Sequence, residues 1–186
     1  SLLCIFPQII TAQTKLSDWA VEAERTESKV SLTSDGSIDI IAPKGLTLWY
    51  KRQMQGNVII EYDAQIVVEE HNNNTWNRLS DLNCFWQATD PKQKDGSVLR
   101  GIPKRKGIFA NQYALSLYYM GYGGNYNSTT RFRRYNGNEN GVKDPSFRPA
   151  ILREYTDPGH ILKPNHWYHI RLEQHFGHVR YIIDGE

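Results

Sequence analysis

An antiparallel all-β sandwich is the fold class this sequence predicts, on three observations. Residues 58–68, VIIEYDAQIVV, alternate with period two, the signature of a long strand with one face in a core. Aromatic residues make up 12% of the chain, with 11 Tyr and 5 Trp against 6 Phe, a bias toward strands and toward rings that are half buried and half wet. Gly, Asn and Pro punctuate many short apolar segments, and no segment beyond residue 27 holds a helical period, as in sandwiches and barrels.

Composition sets the outer bounds. The 186 residues are 39% hydrophobic and 23% charged, which fits one globular domain able to bury roughly 70% of its unfolded surface without a metal or disulfide staple. The aromatic and apolar content excludes disorder. With 22 Lys+Arg against 20 Asp+Glu the net charge is +2, so no broad field attracts phosphate and a nucleic-acid partner is not expected. No apolar run reaches the ~18 residues of a membrane-spanning helix. A monomer is expected.

The elements follow in order. Residues 1–12, SLLCIFPQIITA, carry no charge and precede a polar stretch; they read as the core of an export leader ending at Ala12, with a buried first strand as the alternative. Cys4 follows two leucines rather than the small residues of a lipobox. The mature domain, residues 16–186, then holds one cysteine, Cys84, in an apolar run that suggests a buried inert thiol. Residues 16–27 could form one short turn or helix. Strands are expected at 37–41, 46–51, 58–68, 82–88, 113–122, 131–135, 166–173 and 179–184. Segments 90–107 and 136–149 are polar and long, so they read as excursions from the sheets. The basic run Arg100, Lys104, Arg105 and Lys106 reads as a solvated loop. The chain ends in Asp184-Gly185-Glu186, a turn signal that normally leads to a partner strand, so further closing strands are expected.

Two stretches carry the chemistry. In 76–86, WNRLSDLNCFW, Arg78, Asp81 and Asn83 stand between Trp76 and Trp86. Polar groups beside indoles suit a sugar, whose hydroxyls take hydrogen bonds while its apolar face stacks. The alternative is a buried Arg78–Asp81 pair pinning a loop, with both Trp in the core. In 118–135 three glycines, Tyr119, Tyr122, Asn125 and Asn127 precede Arg131 and Arg133. The two arginines share a strand face, an arrangement that pairs with carboxylates. The alternative is a solvated hairpin. His169 shares a polar strand face with Trp167 and Arg171, where it could be a general base or simply exposed. No Cys or His pair with metal-ligand spacing stands next to a second such pair. No cofactor is expected, and no Asp-x-Asp-x-Asp-Gly loop is present for a structural Ca²⁺.

Three segments together, RLSDLNCFW, the 118–135 stretch and the ending HWYHIRLEQHFGHVRYIIDGE, resemble a bacterial family of concanavalin A-like (LamG/glucanase-type) domains that includes the YesU-like proteins linked to pectin and rhamnogalacturonan utilisation. The resemblance spans about residues 16–186. It implies a jelly roll of two antiparallel sheets, a glycan held on a concave sheet, and a secreted or periplasmic location. The Glu-x-Asp-x-x-Glu signature of retaining glucanases is absent, and no carboxylate pair for hydrolysis is visible.

A uronate lyase needs no such pair. It needs cations to neutralise the uronate carboxylate and a proton-transfer group. Arg131 and Arg133 would neutralise charge, Asn83 or Asn125 would bond the carboxylate, and Tyr119 or Tyr122 would act as base and acid. The expectation is therefore a carbohydrate-active protein for an acidic polysaccharide, a lyase or a hydrolase slightly ahead of a non-catalytic binding module. The proposed catalytic set is Tyr119, Tyr122, Arg131, Arg133 and His169. Trp76, Arg78, Asp81, Asn83, Trp86, Asn125 and Asn127 would bind substrate.

Overall fold

The computed structural model describes residues 8–9 and 15–186. Among these, twelve strands form two four-stranded sheets and two ribbons, and the predicted all-β sandwich is observed. The strands are β1 (Gln8–Ile9), β2 (Trp19–Ala23), β3 (Lys29–Leu32), β4 (Ile38–Ile41), β5 (Leu46–Tyr50), β6 (Val58–Gln65), β7 (Leu82–Thr89), β8 (Ser116–Gly123), β9 (Thr129–Asn136), β10 (Ala150–Tyr155), β11 (Trp167–His175) and β12 (His178–Ile183). The first sheet runs β1-β6-β11-β12 and the second β10-β9-β8-β7; β2 pairs with β5 and β3 with β4. All pairings are antiparallel except the two-residue parallel contact of β1 with β6. Apart from that contact, the expected leader and Cys4 lie outside the described residues.

Period-two patterning decides which side of each strand is buried. On β11, Tyr168, Ile170 and Leu172 are buried and meet Trp86, Tyr122 and Leu162 in a core between the sheets. Ile60 and Tyr62 of β6 pack there too, while Glu61 and Asp63 face solvent. Each such aliphatic side chain contributes roughly 1.5–3 kcal/mol by leaving water. The expected strand at 113–122 begins only at Ser116, because Phe109–Ala114 coil into 3₁₀ turns. The alternation of these residues, which sets Tyr113, Leu115, Leu117 and Tyr119 against Ala114, Ser116, Tyr118, Met120 and Tyr122, nevertheless holds. Tyr113, Leu115, Leu117 and Tyr119 join Trp49 and Tyr135 in a second core, on the side of the second sheet turned away from the first.

Two expectations fail for tertiary reasons. Residues 16–27 are not a helix: only Leu16–Asp18 makes a 3₁₀ turn, and β2 then pairs residue by residue with β5, from Trp19↔Tyr50 to Ala23↔Leu46. The basic run is not wholly solvated either, since Arg105 is buried. Both corrections share one cause, the fully buried Glu22 on β2. Its carboxylate accepts from Trp49 Nε1 at 2.8 Å, Arg105 Nη2 at 2.8 Å, Gln112 Nε2 at 2.9 Å and the Gly107 N–H at 3.1 Å. A buried charge persists only when paired and hydrogen-bonded in this way. Glu22 thereby ties the 98–114 excursion, with its short helical turns Val98–Gly101 and Ile102–Arg105, against the second sheet. Trp49 and the excursion's Phe109 cover Phe85 and Tyr119 on the sheet's outer face, while Asn83, Arg131 and Glu154 beyond them reach solvent.

Candidate functional site

Strand register arranges the second sheet's outer face in rows. Asn83, Gly121, Arg131 and Glu154 form one row across β7, β8, β9 and β10; Phe85, Tyr119, Arg133 and Ile151 form the next. Arg131 and Arg133 thus share a face, as their spacing predicted, with Tyr119 and Asn83 beside them. Arg78 and Asp81 pair at the β7 edge of this face, two residues before Asn83, and Trp76 lies exposed just ahead of them.

Tyr119 is the centre of this group. Its hydroxyl donates to Asn83 Oδ1 at 2.9 Å. Burial pushes the phenol far above its usual range and the nearby Asp81 charge adds to that, while Arg133 and Arg131 pull the other way. Burial wins, so at neutral pH Tyr119 is a proton donor and not a ready base. Arg131 Nε donates to Glu154 Oε1 at 2.5 Å in a half-exposed pair. Arg133 is buried and spends one nitrogen on the Pro149 carbonyl at 2.5 Å.

The other candidates scatter. Tyr122 lies in the core between the sheets, on the opposite face from Tyr119; its hydroxyl donates to the Ile161 carbonyl at 3.2 Å, and burial raises its pKa strongly. Trp86 is buried in the same core. Asn127 is a clamp, donating to the Leu162 carbonyl at 2.9 Å and accepting from the Leu162 N–H at 2.8 Å. His169 sits on the outer face of the first sheet, its Nδ1 2.8 Å from Asp63 Oδ1. Packed sheets are ~10 Å apart, so His169 cannot work with Tyr119. For 76–86 the two alternatives divide. Arg78 does pair with Asp81, at 3.3 Å, but in solvent and not buried as that alternative required; Trp86 is core, and Trp76 is 45% exposed.

Carboxylates are poorly placed for hydrolysis. Asp81, whose N–H donates to the Gly123 carbonyl, stands at the β7 edge of this face, and Glu154 stands at the β10 edge. Three strand spacings separate the edges, about 14 Å, whereas glycosidase pairs sit ~5–9.5 Å apart.

Some groove residues had no signal in the sequence. Glu154 meets Arg131 only through the β9–β10 register. Tyr126 is more informative. Asn125, Tyr126 and Asn127 all adopt left-handed backbone, with φ of 52°, 58° and 59°, at a cost of ~1–2 kcal/mol for each residue. Asn offsets that cost with local bonds, here Asn125 Nδ2 to Ser128 Oγ at 3.1 Å and the Asn127 clamp; Tyr has no such means.

Residues 40–186 match the model of a domain of unknown function, DUF6250. The chain belongs to this family. No curated protein and no solved structure matches it. The DUF6250 match takes in both main sheets apart from β1, and the whole groove; β2 with Glu22 and β3 precede it.

Proposed function

We propose that the outer face of the second sheet binds an acidic polysaccharide of the pectin type, and that the protein is exported to meet it. One observation carries the reading: Arg131 and Arg133 share one face of the sheet with the Tyr119 hydroxyl and the Asn83 amide, and Arg131 and Asn83 reach solvent there. Guanidinium forks match carboxylates by paired hydrogen bonds, and the phenol and amide suit ring hydroxyls. A uronate carboxylate would compete with Glu154 for Arg131. The resemblance to concanavalin A-like glycan proteins favours a glycan as the ligand.

A second reading is elimination at a uronate. It is favoured by the phenol of Tyr119 lying in the field of both arginines. Tyr119 holds a proton that it can pass to the leaving oxygen. Neither Tyr122 nor His169 can take the C5 proton there, since the first faces the core between the sheets and the second the outer side of the first sheet. Binding is therefore the first reading.

The test incubates the full chain with polygalacturonate, rhamnogalacturonan, glucuronan and a neutral glucan, while following ultraviolet absorbance, reducing ends and gel retardation together. Retardation by the acidic glycans alone, without new ends, supports binding. New ends with absorbance establish elimination. New ends without absorbance mean hydrolysis, and silence in all three channels rejects the glycan reading.

A further inference from the structure

We propose that Tyr126 is a stacking platform at the end of the groove, taking the apolar face of a pyranose ring while Arg131 and Arg133 hold a carboxylate of the same glycan. The proposal rests on the reading of the groove as an acidic-glycan site and adds a subsite to it.

Tyr126 is 79% exposed. A ring left in water gains little from burial, so packing does not explain its presence. Its backbone does not favour it either, since φ 58° and ψ 45° lie in a region that suits glycine or asparagine. An exposed aromatic in a disfavoured conformation points to a use outside the fold.

The surrounding turn is firmly held. The Ser128 N–H donates to the Gly124 carbonyl at 3.0 Å, and Gly124 bridges Thr129. The two-way clamp of Asn127 on Leu162 anchors the turn to the core. The ring also has a fixed neighbour. The Arg78 guanidinium lies over it, 5.2 Å from its centroid, and is itself tied to Asp81 at 3.3 Å. Arg78 covers one face of the ring, and the other is open to solvent.

Position completes the case. Asp81, which holds Arg78 over the ring, stands two residues before Asn83, and Thr129, bridged to Gly124, stands two residues before Arg131. The C–H groups of a sugar carry partial positive charge and sit well on the electron-rich face of a ring. Asp81 and Asn125 at its rim can take hydroxyls.

The experiment uses the full chain, polygalacturonate as the probe in gel retardation, and thermal unfolding of each variant. Tyr126→Gly relieves the backbone and removes the ring. It is expected to leave Tm unchanged or raise it by about 2–4 °C, and to weaken retardation by about tenfold. Tyr126→Phe keeps the ring and is expected to match the parent in both. A fall in Tm for Tyr126→Gly would make the ring structural and overturn the proposal. Unchanged retardation in Tyr126→Gly, with retardation lost in Arg131→Gln, would remove the platform but keep the groove. No retardation of the parent protein by polygalacturonate would reject both together.

Discussion

The ring of Tyr119 lies over Gly121, two residues along the same strand. A β-carbon at Gly121 would come within 2.7 Å of Tyr119 Cζ and 2.8 Å of Cε1. The missing side chain is what lets the phenol reach along the sheet to Asn83. Gly121→Ala should therefore cost about 1–3 kcal/mol through overpacking. The cost should largely vanish in a Tyr119→Ala background. Urea denaturation of the double-mutant cycle checks this, and additive effects would contradict the contact.

Glu22 should be the most sensitive buried polar position. Glu22→Ala leaves Arg105 charged and unpaired beneath the excursion, a loss of about 3–5 kcal/mol. Replacing Glu22 and Arg105 together by apolar residues should cost much less. A chain cut to residues 40–186, the span of the family match, loses Glu22 and β2 and should unfold at clearly lower denaturant than residues 15–186. Equal midpoints would show that the buried carboxylate contributes nothing.

His169 should act as a pH-dependent contact of the first sheet, unconnected with the groove. The Asp63 carboxylate at its Nδ1 raises its pKa above the ordinary 6.5, Glu61 adds to this, and desolvation opposes it. A raised folded-state value means that the stabilisation is present in full below about 6.5 and is lost as pH climbs through the higher folded value. Imidazole titration by NMR should show the raised midpoint, and Asp63→Asn should bring it down. His169→Ala should leave glycan retardation unchanged.

Tyr122 should behave as a core residue. Tyr122→Phe removes one 3.2 Å bond to the Ile161 carbonyl, worth about 0.5–1.5 kcal/mol, with no effect on binding or turnover. Tyr119→Phe should cost comparably in stability but weaken retardation. The reverse pattern would put the site on the inner face of the sheet.

Salt should weaken binding to polygalacturonate, because the contact depends on guanidinium charge. Arg131→Gln should flatten that dependence. Retardation that is insensitive to salt would point to stacking and hydroxyl contacts alone.

Alternation along single strands was enough to sort much of this molecule. It separated Tyr168, Ile170 and Leu172 from His169 and Arg171, and it placed Arg131 and Arg133 on a common face. It also set Tyr119 and Tyr122 on opposite faces, although as chemistry the two seemed interchangeable. Alternation does not say which face meets the other sheet, because both faces of β8 are apolar. For the same reason Trp86 could be read as a sugar platform when it belongs to the core.

The sequence by itself determined the all-β class, the faces of the long strands and the pairing of two arginines, because those depend on a period of two residues along the chain. Tertiary structure alone decided the rest. Glu22 chose its partners 83 and 90 residues away, turning an expected helix into a strand and a basic loop residue into a buried ion. Register across four strands brought Glu154 to Arg131 and set His169 on the far side of the sandwich. Such contacts arise from closing distant segments onto one core, and a local pattern carries no record of which segments meet.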